Sequence, residues 1–216
     1  MPEKKEKNKF IKAIENFLYY YKWHTVIAIV FVIVLVGFIR LSDSTEPPSD
    51  VTVVSVFPRP LTMQEYTFEG KFDDSIIIDN DQNGKKQIKM RSIYISETGK
   101  SDGDVLGKSQ FESVMAYGNA DLVLLDNSNL ERFGAKDFLE PLENYVDVSE
   151  FNEEDLFYRD GKAVAVRLRK SAVLTDMAFM IDNVYAGIMF KPEENKTIEN
   201  GRKSAANMLL ELKKVK

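Results

Sequence analysis

The most one-sided stretch of the chain runs from Thr25 to Ile39, fifteen positions without a charge, filled by Val, Ile, Phe, Leu and Ala and broken by one Gly. At about 1.5 Å per residue this core covers about 22 Å, short of the roughly 30 Å of bilayer hydrocarbon. Its flanks supply the rest. Tyr19, Tyr20, Tyr21 and Trp23 suit one headgroup level, Lys22 can snorkel from that end and Arg40 from the other. Residues 19–41 therefore predict one transmembrane helix. A helix in a soluble core is disfavoured, because the segment is apolar all round and its aromatic belt needs no protein partner. A cleaved signal is disfavoured too: 24 residues precede the run, and the RLSDSTEPPSD that follows has no A-x-A-like site. Before the span, Phe10, Ile14, Phe17 and Leu18 recur at helical spacing, so residues 1–18 predict a basic amphipathic tail at the membrane surface.

Beyond Leu41 the pattern changes. Residues 42–50 hold two prolines, three acids and no large apolar side chain, and read as an extended spacer. The β-branched run Val51–Phe57 predicts a buried strand stopped by Pro58 and Pro60. A second strand is expected over Ile88–Ile95, a loop over the glycine-rich ETGKSDGDVLG, and a helix over Ser109–Tyr117 ended by Gly118. ADLVLLD, Ala120–Asp126, reads as a short buried strand with a helix over Asn127–Phe133 directly after it. Loop and short helices are expected around Pro141, strands over Gly161–Arg169 and Val184–Phe190, and a strand or turn between them. The chain then closes in a C-terminal helix marked by Ala205, Met208, Leu209 and Leu212. Strand, turn and helix in repeated succession predict an α/β domain over residues 51–216, with a mostly parallel or mixed sheet covered by helices on both faces.

Charge orients this arrangement. The formal net charge of −5 hides a dipole: residues 1–40 hold seven bases against three acids, leaving 22 of the 29 bases and 31 of the 34 acids beyond them. The positive-inside rule places the N-terminus in the cytoplasm and the acidic domain outside. An acidic exported domain disfavours nucleic acid as a partner. With no cysteine, disulfides, thiol nucleophiles and Cys-ligated metals are excluded, and a domain of about 170 residues must rely on its core, as suits a bacterial cell surface.

Candidate chemistry is sparse. His24, the sole histidine, sits at the inner membrane boundary and cannot serve an extracellular reaction, so triads built on His or Cys are excluded outside. Asp79, Asp81 and Asn83, followed by Gly84, have the spacing that opens a calcium loop, but Met90 stands where the bidentate carboxylate belongs, and an ordinary Asx-rich turn explains the same residues. The acids at 73–74 and 153–155 have no spacing that fixes an acid–base pair. Gly99, Gly103 and Gly107 lack a phosphate-loop ending. Arg167, with Arg169 and Lys170, closes a strand where it can meet an anionic group or a neighbouring acid. Aromatics near predicted strand ends, Phe57, Tyr66, Phe68, Tyr94, Tyr158 and Tyr185, would edge a ligand groove on an open α/β sheet, though core packing can also take them.

GNADLVLLDNSNLERFGAKDFLEPLENYVD, residues 118–147, resembles extracellular solute-binding proteins of the periplasmic-binding class II type, in which a strand ending in an acid is followed by a helix and a Leu-x-Pro-Leu phrase. FYRDGKAVAVRLRKS, residues 157–171, is similar to the stretch by which such proteins enter the hinge, with Arg167 where they commonly have proline. The N-terminal FLYYYKWHTVIAIVFVIVLV also resembles small single-span surface proteins of clostridia and their relatives. A ligand site is expected at the strand ends, with Phe57, Tyr94, Asp126 and Arg167 as its residues. Only about 45 residues follow the strand expected over Gly161–Arg169, too few for a second lobe, so one lobe is expected. The expectation is a non-enzymatic, cofactor-free binding module on the bacterial cell membrane, taking a small molecule. The alternative is a structural or protein-interaction component of an envelope complex.

Overall fold

The computed structural model describes residues 9–42, 49–62, 71–73, 75–80, 82–169, 171–176, 181 and 183–214, in two compact units, 1–47 and 48–216. The expected spacer lies mostly outside the described residues, as do Asp81, Tyr66, Phe68 and Lys170.

In the first unit one helix, α1 (Lys9–Ser42), joins the expected tail and span. It is the one described helix long and apolar enough to cross a membrane: Tyr19–Val36 has a mean hydropathy of 1.7, and none of that window is buried against protein. Its regularity breaks once, at Tyr21 (φ −111°, ψ 15°).

The second unit is built on one mixed sheet of six strands in the order β2-β1-β3-β6-β5-β4. These are β1 (Val51–Phe57), β2 (Ile88–Tyr94), β3 (Leu122–Leu125), β4 (Leu156–Arg159), β5 (Lys162–Leu168) and β6 (Val184–Ile188). Strands β2 and β3 flank β1 in parallel, whereas β6, β5 and β4 follow in antiparallel succession. Period-two alternation sorts the core into two layers. Val51, Val53, Phe57, Leu122 and Leu124 share one face with Ala205, Met208, Leu209 and Leu212 of the C-terminal helix α5 (Lys196–Leu212). Val54, Val56, Val123 and Leu125 point the other way. There they meet Phe111 and Val114 of α2 (Asp102–Tyr117) and Leu130 and Phe133 of α3 (Asn127–Phe133). Ring contacts of Phe111 with Phe133 and Phe138, at 5.0 and 5.5 Å, tie α2 to α3 and the following loop. A short helix, α4 (Ala172–Asp176), stands between β5 and β6 where a strand or turn was expected.

Three further expectations change. Helix α2 begins at Asp102, seven residues before the predicted start. Asp104 accepts from the Ser101 N–H at 2.6 Å, and Asp102 and Asp104 favour the positive end of the helix, so GKSDGDVLG is more than a loop. Gly107 lies inside that helix because α2 touches β2: a Cβ there would stand 2.0 Å from the Tyr94 carbonyl oxygen. Second, the strand expected over Gly161–Arg169 is found as β5, but it folds back on β4 as a hairpin that the sequence did not predict, turned by Asp160 and Gly161 at positive φ (51° and 76°). Its strand β5 then pairs with β6, so the chain stays in one sheet. Third, the short strand β4 was not visible in SEFNEEDLFY, whose acids obscure alternation.

Candidate functional site

Where β1, β2 and β3 end side by side, the chain leaves the sheet in three loops around an open cavity of about 650 Å³. Pro58 and Arg59 follow β1, Ser96, Glu97 and Thr98 follow β2, and Asp126, Asn127 and Ser128 follow β3 at the start of α3. The fourth wall is Ile181 and Asn183, just ahead of β6, which begins at this end because it runs antiparallel to β3. The lining is hydroxyl, amide, guanidinium and carboxylate, with Pro58 and Ile181 as its apolar part.

The loop after β2 is held from two sides. Asp104 receives the Ser96 N–H and hydroxyl, both at 2.7 Å, and the Ser101 N–H at 2.6 Å. Burial opposes the charge of Asp104, but these side-chain and backbone bonds from Ser96, then Ser101, outweigh it and hold the carboxyl well below the ordinary carboxylate range. From the other side, Arg132 donates to the Glu97 carbonyl at 2.7 Å, and its guanidinium lies against Gly99, which turns at φ 64°. Arg132 is itself set by the Asn129 side-chain oxygen at 2.6 Å, and Asn129 donates to Asp126 at 2.6 Å. Asp126 also accepts the Ser128 N–H at 3.1 Å as the N-cap of α3. A chain of Asp126, Asn129, Arg132 and the 96–99 backbone thus fixes two of the three loops before any ligand arrives, which lowers the ordering cost of binding. The hydroxyl of Ser128 and the side chain of Asn183 make no hydrogen bond to another described residue, so both are free to meet a ligand.

Of the four expected ligand residues, the cavity receives Asp126 alone, and that side chain builds the wall. Phe57 has no exposed surface and packs in the core. Tyr94 is 39% exposed but lies outside the cavity lining. Arg167 is paired: its Nε stands 2.8 Å from Asp155, and Arg169 reaches the same carboxylate. The alternative expected for it, pairing with a neighbouring acid, is the one found. Arg59, Ser96, Thr98, Ser128 and Asn183 had no motif. The signal available was position, directly after a predicted strand, and it covers all but Asn183.

Asp79 and Asn83 accept hydrogen bonds from nearby backbone N–H groups. Asp79 accepts from the Gly84 N–H at 2.8 Å and the Asn83 N–H at 3.3 Å, and Asn83 accepts from Lys85 at 2.7 Å. Among the described residues no three His, Cys, Asp or Glu converge on a metal position, and Asp81 lies outside them. A further cavity of about 620 Å³ lies beside the start of α5, lined by Tyr145, Glu194, Lys196, Glu199 and Arg202 among others. Arg202 is engaged there with Glu140 at 3.1 Å, and burial with the nearby Glu140 charge pushes the Tyr145 hydroxyl up.

The chain is thus an α/β protein with a mixed six-stranded sheet and one N-terminal apolar helix of membrane-spanning length. Comparison with protein-family models, curated proteins and solved structures finds no match to it.

Proposed function

We propose that the protein is a membrane-anchored extracellular binding module whose cleft takes a small polar solute. The observation that carries this is the position and rigidity of the cleft. In open α/β sheets ligands bind outside the carboxyl ends of the strands, and here three parallel strands end around a cavity of about 650 Å³. Ser128 and Asn183 offer hydrogen bonds, Ile181 and Pro58 offer contact, and Asp104 and Arg132 keep the walls in place. The solute-binding resemblance of residues 118–147 supports the same reading, with one lobe doing the binding. Anchoring is supported by the exposed apolar window Tyr19–Val36, and an external domain by the lysines before it and the acids beyond it.

The test is a thermal melt of the full-length chain in mild detergent against a panel of free amino acids, monosaccharides and dipeptides. A solute at one hundred times its Kd adds about 2.7 kcal/mol, a rise of several degrees for a domain of this size. Ser128→Leu, which fills the cleft from a partly exposed position, abolishes that rise while leaving the ligand-free melt in place. No stabilisation by any member of the panel, or an equal rise in Ser128→Leu, would reject the cleft as the site.

One observation favours the second reading, an envelope protein that docks on a partner. On α2, the adjacent Val105 and Leu106 are 73% and 65% exposed, two large apolar side chains open to solvent. Ser128→Leu leaves partner binding intact under that reading, whereas Val105→Asp with Leu106→Asp removes it.

A further inference from the structure

The first unit holds more helix than a bilayer needs. At about 1.5 Å per residue the 34 residues of α1 measure about 51 Å, against roughly 30 Å of hydrocarbon. The break at Tyr21 divides this length. Lys22–Ser42 is then about 31 Å, enough to cross, and Lys9–Tyr20 is left over. The break has a local cause: the Thr25 hydroxyl donates to the Tyr21 carbonyl at 3.0 Å, the i−4 back-bond that bends helices, at a position with neither proline nor glycine.

The leftover segment is patterned differently from the span. At 100° per residue, positions Phe10, Ile11, Ile14, Phe17, Leu18 and Tyr21 fall within one arc of about 120°. Lys9, Lys12 and Asn16 fall on the opposite side, Glu15 stands beside the arc's edge, and Lys4, Lys5 and Lys7 precede the helix. An apolar stripe continuous with a membrane span and backed by lysines has the chemistry of a helix lying in an anionic lipid surface.

We infer that Tyr21 is an elbow, and that Lys9–Tyr20 lies flat on an anionic leaflet with its phenylalanine and leucine arc in the acyl boundary. This rests on the anchor reading of the span and is independent of the cleft. It makes the surface binding of this segment depend on the charge of the lipid.

The cysteine-free chain allows single nitroxide labels without background. Full-length protein carrying Ile14→Cys, Asn16→Cys or Val30→Cys is reconstituted in phosphatidylcholine vesicles with and without phosphatidylglycerol. Accessibility to oxygen reports lipid, and accessibility to a nickel chelate reports water. With phosphatidylglycerol present, the label at position 14 reads lipid and the label at 16 reads water. Replacing Lys9 or Lys12 by Gln weakens the surface partition about fivefold per lysine. Equal, water-like readings at 14 and 16 with position 30 still in lipid would overturn the surface helix and leave the span standing. Equal, lipid-like readings at 14 and 16 would overturn it as well. A water-exposed position 30 would remove the anchor on which the inference rests.

Discussion

Gly107→Ala sets two calculable effects against each other. In an isolated helix interior the change from Gly to Ala is worth about 1 kcal/mol in favour of Ala. In this fold the added Cβ would lie 2.0 Å from the Tyr94 carbonyl oxygen, 3.0 Å from Ile95 Cγ1 and 3.1 Å from the Tyr94 carbonyl carbon. Ordinary contacts start near 3.4 Å, so α2 must retreat from β2 by more than about 1 Å, and a strand carbonyl cannot rotate aside as a side chain can. Overpacking costs about 1–3 kcal/mol, and the upper end applies where backbone is struck. The retreat also loosens Phe111 and Val114, both buried on the same helix. The net expectation is a loss of about 1–2 kcal/mol, a fall in Tm of roughly 2–8 °C. The control is Gly103→Ala on the same helix, where the Cβ meets only the Tyr94 ring at 3.6 Å and the change is neutral or stabilising. Both variants are melted by circular dichroism as full-length protein in mild detergent. A Gly107→Ala chain as stable as the parent would refute the close packing of α2 on β2.

Other expectations follow from the same structure. Lys191→Met leaves the Asp121 carboxylate, 2.6 Å from the lysine and almost wholly buried, with the Thr52 N–H alone, and costs about 3–5 kcal/mol in a urea titration; a cost below 1 kcal/mol would contradict the pairing. Asp104 is held ionised in the fold, so its contribution is full above pH about 4 and fades as pH drops towards its depressed folded value. Stability therefore declines in acid, and Asp104→Asn flattens that slope; an unchanged acid limb would count against the loop anchor. Arg132→Met frees the carbonyls of residues 96 and 97, and is expected to weaken solute binding more than it lowers Tm, as read by paired titrations and melts.

Much of the scaffold was legible because its signals are local. Val51–Phe57 and Leu122–Leu125 are uninterrupted apolar runs, and Asn127–Phe133 follows an aspartate that caps it. The C-terminal stripe of Ala205, Met208, Leu209 and Leu212 is the buried face of α5. What stayed hidden depends on contacts distant in sequence. The early start of α2 was masked by Gly103 and Gly107, which read as loop residues until β2 is seen beneath Gly107. The direction of β6 comes from its pairing with β3 and β5, and only that direction brings Asn183 to the cleft. The placement of Arg167 and Phe57 away from the cleft was hidden for the same reason, since burial and the Asp155 pairing are properties of the assembled sheet.

The most direct measurement uses Ser128→Cys, a single thiol in a cysteine-free chain at the rim of the cleft. Intact cells are treated with a membrane-impermeant maleimide and compared with lysed cells. A cleft displayed to the outside by an anchored domain gives the same labelling in both. Labelling that appears only after lysis would place the domain, and whatever it binds, on the other side of the membrane.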